Sequence, residues 1–484
     1  MVNRTSPQAG LVRDPDRPPR TQNPRMPFLT NLRFIMLLLP LGSAATARAQ
    51  DDGTPQPADE AALEEPRQKR LEPQDNQESD PDASASTRPD DDEALQLALQ
   101  LADDTQFKER RSRDLKLQVD VATMDSQGRN TQRLSLDARW DGRLSPEWRA
   151  VLANRVDWNL SHALQSGRAV NLLKEAYVSH EFDQRTMIDA GRINTRYGVA
   201  LGYNPTDFLG AGTVRSVVSP DPDSVRQNRL GNAMVRGQKV WSRASVTAIW
   251  SPKLADRPNQ SGGSLDWGAS NPRQRFLLAG SYRFAENLNP QWLLLQEQGR
   301  SPQLGFNVSR VLTDSTVAYL EWAGGRQQGA WQQWQTPGSP AGTVAWRNRF
   351  ATGLTWTGNN KLSVTLEGQY DGAAPDTAEW KALRSGPAYQ AYLSQNAYSG
   401  NLATRRAALA YVRWQDAFVT HLDLTAMRSS DLVDHSALNW VEARYHAGSV
   451  DLALQWQRIT GASNTRYGAN PARQTWQFVL SYYS

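Results

Sequence analysis

The sequence predicts an all-β fold, a transmembrane antiparallel β-barrel of about 18 strands preceded by a disordered N-terminal tail. Three observations predict it: hydropathy with a period of two from about residue 113, segments of roughly ten residues, and connections that alternate between short and long. The mean hydropathy is −0.64. Beyond the N-terminal region there is no apolar run of the roughly 18 to 20 residues that a membrane-spanning helix needs.

The N-terminal region predicts a secretory signal. Residues 34–49, "FIMLLLPLGSAATARA", follow Arg33 and end in the small-x-small site Ala47-Arg48-Ala49. We therefore expect cleavage before Gln50, against the alternative of a short buried helix. The basic, proline-rich residues 1–25 leave two interpretations open, a start of translation at Met26 or an unusually long n-region. Residues 1–49 form the predicted signal peptide region.

Residues 50–109 predict a disordered periplasmic tail. They carry 18 acidic and five basic residues, a net charge of −13, and few apolar side chains, so they cannot bury enough surface to offset the entropy of ordering. Residues 110–484, the predicted barrel, carry a net charge of +12. The absence of cysteine excludes disulfides and thiolate metal sites.

The strand pattern is clearest in "KLSVTLEGQY" (361–370) and "SVDLALQWQ" (449–457), where apolar and mostly polar or small residues alternate. Each segment is long enough for a tilted strand to cross a bilayer. Eighteen such segments are predicted to begin near Asp114, Gln132, Trp148, Asn171, Thr186, Asn232, Arg243, Gln274, Gln291, Gln303, Thr316, Trp346, Lys361, Arg405, Phe418, Ala437, Val450 and Gln474.

The connections favour a membrane barrel over a soluble β-sandwich, β-helix or propeller. Those after even-numbered strands are tight, such as 144–147 and 357–360, whereas 195–231, 252–272 and 371–403 are long. Tight turns at one end and long loops at the other are typical of an outer-membrane barrel, and there is no fixed-period repeat.

Two segments resemble known families. The closing strand "QTWQFVLSYYS" (474–484) resembles the assembly signal of Gram-negative outer-membrane barrels, with Trp476, Phe478, Leu480 and Tyr482 at alternate positions and Ser484 departing from the usual final aromatic. The segment "GRINTRYGVALGYNPTDFL" (191–209) is similar to porin-like and alginate-export-like barrels, in which a Gly-Arg pair ends a strand and a long loop turns into the pore. The first resemblance implies recognition by the barrel-insertion machinery, and the second raises saccharide uptake or polysaccharide export.

If the more apolar of the two sets of alternate residues on each strand faces lipid, the other set lines the lumen. This assignment places fourteen arginines but only eight acids inward, which predicts a preference for anions. The strands near Asn171 and Gln291 have ambiguous parity and are left out. Each arginine has the alternative of a structural ion pair or a contact to lipopolysaccharide. The predicted anion-binding set is Arg139, Arg149, Arg155, Arg192, Arg236, Arg275, Arg347, Arg349 and Arg413 on strands, with Arg196 on the loop that follows.

Loop 195–231 is the predicted constriction, formed by the turn Asn204, Pro205, Thr206 and Asp207 together with Arg215. An ordinary surface loop is the alternative. Loop 371–403 predicts two short helices, the first capped by Asp376, which form an external lid.

The predicted function is passive passage of anionic or polyanionic solutes, with saccharides and polysaccharide as specific cases. The alternative is a non-conducting barrel whose loops bind a ligand or a surface. We expect outer-membrane lipid and lipopolysaccharide as surroundings, and neither nucleic acid, cofactor nor metal. None of the five histidines lies in a recognisable catalytic motif, so no enzymatic activity is predicted.

Overall fold

The computed structural model describes residues 115–161, 169–259, 261–332, 344–397 and 399–484. The predicted signal region and acidic tail, residues 1–109, lie outside this part. Eighteen antiparallel strands follow each other around one sheet, which the pairing of β1 with β18 closes. The predicted fold class and strand number are therefore confirmed. The strands are β1 Leu115–Ser126, β2 Arg129–Arg143, β3 Trp148–Asn159, β4 Ala169–Asp183, β5 Thr186–Ile193, β6 Asn232–Val240, β7 Ala244–Ser251, β8 Arg275–Tyr282, β9 Gln291–Glu297, β10 Gln303–Thr313, β11 Thr316–Gln327, β12 Ala345–Thr357, β13 Leu362–Asp371, β14 Arg406–Trp414, β15 Leu422–Asp431, β16 Ala437–Ala447, β17 Val450–Thr460 and β18 Gln474–Tyr483.

The closing strand has one exposed apolar side and one buried polar side. Trp476, Phe478, Leu480 and Tyr482 are exposed by 37–48%, whereas Ser481 and its same-parity neighbours are buried. Strand β18 also pairs with β1, with Val121 opposite Leu480, so neither strand is left as an open edge. The apolar side of this strand therefore faces outward.

The same outward band continues around the barrel. Large apolar side chains stand exposed on the outer parity of nearly every strand, as lipid contact requires. They include Val121, Leu136, Leu152, Val178, Ile188, Val235, Val246, Trp250, Phe276, Leu278, Trp292, Leu294, Leu304, Leu320, Phe350, Leu354, Leu366, Val441, Leu452 and Leu454.

The two ends of the barrel differ. Connections such as 184–185, 314–315 and 448–449 are tight and lie at the end that also holds Leu115 and Tyr483, which we call the short-turn end. The longer connections, which follow β5, β7, β11 and β13, begin at the opposite end, which we call the long-loop end.

One strand begins later than predicted. The sequence suggested Phe418, but β15 begins at Leu422. Asp416, Phe418 and His421 have left-handed φ angles of 50°, 62° and 73°, and Leu422 pairs back with Ala417 through an N–O distance of 2.6 Å. These residues therefore form a tight turn that extended backbone cannot occupy.

Four short helices lie in the long connections: α1 Pro222–Gln227, α2 Trp267–Ser270, α3 Thr377–Arg384 and α4 Tyr389–Asn396. None of the helices in the described ranges has the length and apolar character needed to cross a bilayer.

Helices α3 and α4 form a small cap at the long-loop end. Asp376 caps α3 by accepting from the Ala378 and Glu379 amides, as the sequence predicted for that residue. The Glu379 side chain accepts from the Asp376 amide and completes the capping box. Trp380 is buried against α4, and its indole Nε1 donates to Asp434 Oδ2 at 3.1 Å. Tyr389 donates to the Thr465 carbonyl at 2.9 Å. The cap is thus fixed to the connections 432–436 and 461–473.

A closed barrel with an even strand number, tight turns at one end, long loops at the other and an apolar outer wall is the architecture of Gram-negative outer-membrane proteins. The protein is an outer-membrane barrel, as the closing strand indicated.

Candidate functional site: the lumen and its inward loop

The connection between β5 and β6, residues 194–231, lies inside the barrel; we call it the inward loop. Its apolar side chains are buried against the lumen face of the wall in two clusters. Tyr197, Phe208 and Leu209 pack with a group that includes Met234, Ile249, Leu277, Leu293 and Ala323. Val199, Ala200 and Tyr203 pack with Tyr319, Ala351, Leu402 and Ala407. The loop therefore extends from β5 to the wall formed by β11 to β14.

Glu321 on β11 is fully buried and fixes the middle of the inward loop. Its Oε2 accepts from the amides of Val199 (3.0 Å) and Ala200 (3.1 Å), and its Oε1 from the amide (2.7 Å) and hydroxyl (2.8 Å) of Thr206. A Cβ atom on Gly198, whose φ is +99°, would lie 2.6 Å from both carboxylate oxygens. Glycine is therefore required beside this carboxylate.

Glu367 on β13 binds the next stretch of backbone. Its carboxylate accepts from the amides of Leu201 (2.7 Å), Gly202 (3.1 Å to Oε2) and Tyr203 (3.0 Å), and from the Tyr319 hydroxyl (2.7 Å). Hydrogen bonds to an ionised acceptor are about twice as strong as neutral ones. Two lumen-facing carboxylates thus hold a continuous segment of loop backbone against the wall.

The predicted turn lies inside this segment. The amide of Asp207 donates to the Asn204 carbonyl at 3.1 Å and closes the turn around the buried Pro205. Thr206 binds Glu321, as described above. The Asp207 carboxylate pairs with Arg229 at 2.5 Å, and Arg229 also donates to the Thr195 carbonyl at 2.7 Å. This internal ion pair joins the two arms of the inward loop.

Helix α1, in the second half of the inward loop, is anchored on β14. Asp221 caps α1 by accepting from the Ser224 amide at 3.2 Å, and its other oxygen accepts from the Tyr411 hydroxyl at 2.9 Å. Burial raises the pKa of the Asp221 carboxyl, and the nearby Asp223 adds to the effect. Gln477 of β18 donates to the Val218 carbonyl at 3.3 Å, so this arm contacts the wall at β14 and at β18.

Arg215 and Arg196, both predicted site residues, lie in the inward loop. Arg215 donates to the carbonyls of Asn171 (2.7 Å) and Ser264 (3.0 Å) and pairs with Asp266 at 3.4 Å. It therefore ties the loop to β4 and to the connection 252–274, away from the predicted turn. Arg196 is half-buried near the start of the loop.

The opposite side of the lumen, which we call the charged wall, consists of inward side chains on β1 to β4. Arg155 is its buried centre and contacts Asp120 (2.9 Å), Asp157 (2.9 Å) and Asp137 (3.6 Å). Lys174 pairs with Asp137 at 2.5 Å.

Toward the short-turn end the charged wall is more exposed. Arg149 binds Asp141 through two hydrogen bonds of 2.6 and 2.7 Å, and Arg139 pairs with Glu175. The guanidinium side chains of Arg139 and Arg149 keep 34% and 37% of their surface accessible. Solvent in the lumen therefore reaches these charges.

Other predicted arginines also face the lumen but have different partners. Arg236 pairs with Asp189 at 2.7 Å, and Arg413, half-exposed, lies 3.6 Å from Asp423. Three arginines donate to uncharged oxygens: Arg275 to Asn232 Oδ1 at 2.7 Å, Arg347 to the Gly372 carbonyl at 3.2 Å and Arg349 to Gln303 Oε1 at 2.5 Å.

Arg192 does not face the lumen, so the parity assigned from the sequence was wrong for this residue. It shares the outward parity of Ile188 and pairs with Ala233. Its guanidinium is buried under the connection 252–274, where it donates to the Leu265 carbonyl at 2.7 Å and lies 4.0 Å from the Trp267 ring centroid. The sequence could not show that this connection folds over the end of β5.

The excess of inward arginine over inward acid, inferred from the sequence, is also corrected. Further acids lie on the lumen side, among them Asp120, Glu175, Asp189, Asp371 and Asp431. A β-bulge opposite Ala153 and Asn154 shifts the register of β4, so the consecutive residues Lys174 and Glu175 both face inward. Asn171, on the other side of the bulge, therefore does not share the face that its spacing of four from Glu175 predicts. A strict period of two cannot reveal such a shift.

Histidine lies at the short-turn end of the lumen. His446 Nδ1 is 2.8 Å from Asp451, and its Nε2 is 3.6 Å from Asp423. His421, which the sequence placed beside Asp423, lies in the preceding turn, where its amide donates to Asp416 at 2.7 Å. Within the described ranges no cluster of three or more potential ligands fits a metal ion.

No protein-family profile and no curated protein sequence matches the chain. Among solved structures, Acinetobacter baumannii OccAB1 is 12% identical with a TM-score of 0.49, over 76% of this chain and 95% of that chain. A BenF-like porin from Pseudomonas fluorescens Pf-5 is 11% identical with a TM-score of 0.49, over 76% and 98%. Pseudomonas aeruginosa OprD is 11% identical with a TM-score of 0.47, over 77% and 94%. At these identities the similarity concerns the fold alone.

Proposed function

We propose that the protein is a passive outer-membrane channel for small polar solutes, with a preference for those that carry a carboxylate or phosphate. The observation that carries the proposal is the attachment of the inward loop to Glu321 and Glu367 inside the barrel. A loop held in this way narrows the lumen and selects solutes by size. A barrel that acts only through its surface loops has no need for a loop fixed inside its lumen.

Paired charges weaken the general preference for anions that the sequence suggested, and restrict it to particular places. Most inward arginines are neutralised by acids, as Arg155 is by its three aspartates. Arg347 and Arg349, near the long-loop end, donate to neutral oxygens rather than to a carboxylate, although Asp371 lies at the position paired with Arg349. These two side chains would attract anionic groups at the outer entrance.

The inward loop also bears on the size of the solute. Of the solutes expected from the sequence, small anions and short anionic saccharides fit a lumen that holds this loop better than a polysaccharide does. The proposal assigns the protein no catalytic role. Outer-membrane lipid and the barrel-insertion machinery remain its proposed partners.

Planar-bilayer recordings of the purified, full-length protein test the proposal. We expect discrete conductance steps and, in a KCl gradient, a reversal potential of the sign for anion preference. The double variant Arg347→Gln/Arg349→Gln should shift that potential toward cations. A protein that inserts but never conducts would refute the channel and favour the alternative of a non-conducting barrel with binding loops.

A second pair of variants tests the role of the inward loop. Glu321→Gln/Glu367→Gln leaves each site with one carbonyl acceptor and no charge, so the loop should detach part of the time and the conductance should rise. Glu175→Gln is the matched control, because Glu175 pairs with Arg139 and has no contact with the inward loop. Equal conductance in all three proteins would show that the loop does not limit flow.

A further inference from the structure

Arginine also occurs on the outer, lipid-facing side of the barrel at the long-loop end. Arg428 of β15 and Arg458 of β17 lie in register on either side of Asn439 of β16. All three share the outward parity of the exposed Val441. Arg428 donates to Asn439 Oδ1 at 2.7 Å, and Asn439 Nδ2 donates to the Arg458 carbonyl at 3.2 Å. We call Arg428, Asn439 and Arg458 the outer arginine row.

The charge of this row has no counter-ion in the described part of the chain. No described carboxylate lies within ion-pair distance of Arg428, Arg458 or the nearby outward Arg406, in contrast to Arg155 and Arg236 inside the barrel. A guanidinium on the lipid face is costly at the bilayer midplane and much less so near the interface. It forms strong, bidentate hydrogen bonds with phosphate. The row therefore has the charge and chemistry to bind an anionic headgroup.

A groove of about 380 Å³ in the outer wall runs beside the row. Gly368, Ala408 and Ala410 face outward across β13 and β14 and leave space between the exposed Leu366 and Arg428. The groove is thus mostly apolar, with Arg428 and Ser430 among its lining residues. This arrangement matches a molecule with an acyl chain joined to a phosphorylated head.

We propose that the outer arginine row and this groove bind a phosphorylated glycolipid of the outer leaflet, with a phosphate between Arg428 and Arg458 and an acyl chain along Gly368 and Ala410. Only β16 lies between the two arginines, so they are two inter-strand spacings, or about 10 Å, apart, a distance that their flexible side chains can bridge around one headgroup. The long-loop end of such barrels faces the outer leaflet, where these glycolipids lie. The inference goes beyond solute passage, because the site faces away from the lumen.

Native mass spectrometry of the full-length protein in detergent, titrated with bisphosphorylated lipid A, tests the site. We expect the double variant Arg428→Gln/Arg458→Gln to bind at least about tenfold more weakly than the wild type, the equivalent of 1.4 kcal/mol. The matched control is Lys239→Gln/Arg310→Gln, which removes two outward basic residues at the short-turn end and should bind as the wild type does. Unchanged binding in the Arg428/Arg458 variant would overturn the proposal.

Three further measurements separate the ligand from general lipid adhesion. Dephosphorylated lipid A and phosphatidylglycerol should each bind the wild type more weakly than bisphosphorylated lipid A; equal binding of either would also overturn the site. Gly368→Leu, where an added Cβ meets no atom within 4 Å, should fold normally and weaken binding by filling the groove. Conductance recorded on the same preparations should be unchanged, so failure of the lipid site is distinguishable from failure of the channel.

Discussion

Buried carboxylates have different roles on the two sides of the lumen. On β11 and β13, Glu321 and Glu367 accept hydrogen bonds from loop backbone. On the charged wall, Asp137 and Asp157 accept from the side chains of Arg155 and Lys174. Backbone donors fix the path of the chain, whereas side-chain donors on neighbouring strands leave the loops unaffected.

This difference separates two properties of the barrel. Loss of a wall carboxylate that holds the inward loop should change the size of the pathway and leave the ladder of strands intact. Loss of a partner in the charged wall leaves buried charge between strands and should change stability. The experiments below test this separation.

Arg155→Leu should have the largest effect on stability. Its side chain is only 3% exposed and contacts three aspartates, so its removal leaves Asp120 and Asp157 buried without an ion-pair partner among the described residues and Asp137 with Lys174 alone. Breaking a buried pair in this way costs about 3–5 kcal/mol. Equilibrium unfolding in urea with lipid vesicles, followed by tryptophan fluorescence, measures the change.

Arg413→Leu is the control for this measurement. Arg413 is half-exposed and has one distant acidic contact, at 3.6 Å, so the loss should stay below about 1 kcal/mol. Similar losses in the two variants would contradict the assignment of Arg155 as the centre of the charged wall.

Much of the fold was predictable because the lipid environment requires apolar residues at alternate positions of each strand, a pattern that is visible within one strand. Alternation at Leu452, Leu454 and Trp456 depends only on the period of a strand, so it is readable in ten residues. The short turns are equally local. The lumen could be predicted less well, because its interactions join residues far apart in sequence, as Thr206 and Glu321 show.

One signal in the sequence could have indicated the attachment of the loop. Glu321 and Glu367 are predicted inward, yet neither has a basic residue at its paired position on a neighbouring strand: Glu321 pairs with Asn307 and Ala351, and Glu367 with Gly353 and Leu409. A buried carboxylate without such a partner must find donors elsewhere. The bulge in β4 and the cover over Arg192 have no comparable signal.

Gly202→Val should displace the inward loop without removing a charge. A Cβ atom there would lie 2.6 Å from Leu409 Cδ2 and 2.8 Å from Gln369 Nε2. Overpacking of this kind costs about 1–3 kcal/mol, which the loop can relieve by leaving the wall. Single-channel conductance should therefore rise, while the urea midpoint changes less than in Arg155→Leu.

Gly237→Val is the matched control, because an added Cβ at Gly237 meets no atom within 4 Å. It should conduct as the wild type does. If Gly202→Val also conducts as the wild type does, the segment held by Glu367 does not narrow the pathway.

The stability of the contact between α1 and β14 should depend on pH. Burial, reinforced by Asp223 and Glu442, raises the pKa of Asp221, against the smaller opposing effects of its hydrogen bonds from Tyr411 and the Ser224 amide. The folded loop therefore favours the protonated carboxyl. The stabilisation of the folded loop by this proton is complete below the ordinary aspartate pKa of about 3.9, and it is lost as pH rises through the raised pKa of Asp221.

Acidification from pH 7 toward 4 should therefore hold α1 more firmly on β14 and reduce the fluctuations of the open-channel current. Asp221→Asn should remove this pH dependence. Asp256→Asn, at a fully exposed site in the connection 252–274, should retain it. A pH response that survives in Asp221→Asn would assign it to another group.

Arg149→Gln should have the smallest effect and gives the finest test of the comparison. Arg149 is accessible and paired with Asp141, so its loss should change stability by less than about 1 kcal/mol. The substitution leaves Asp141 with Arg139 alone, at 3.5 Å, and adds net negative charge to the lumen. The reversal potential in a KCl gradient should shift slightly toward cations, whereas Lys239→Gln, on the lipid side at the same end, should leave it unchanged. A shift in both variants would mean that the total charge of the protein, rather than the charged wall, sets the selectivity.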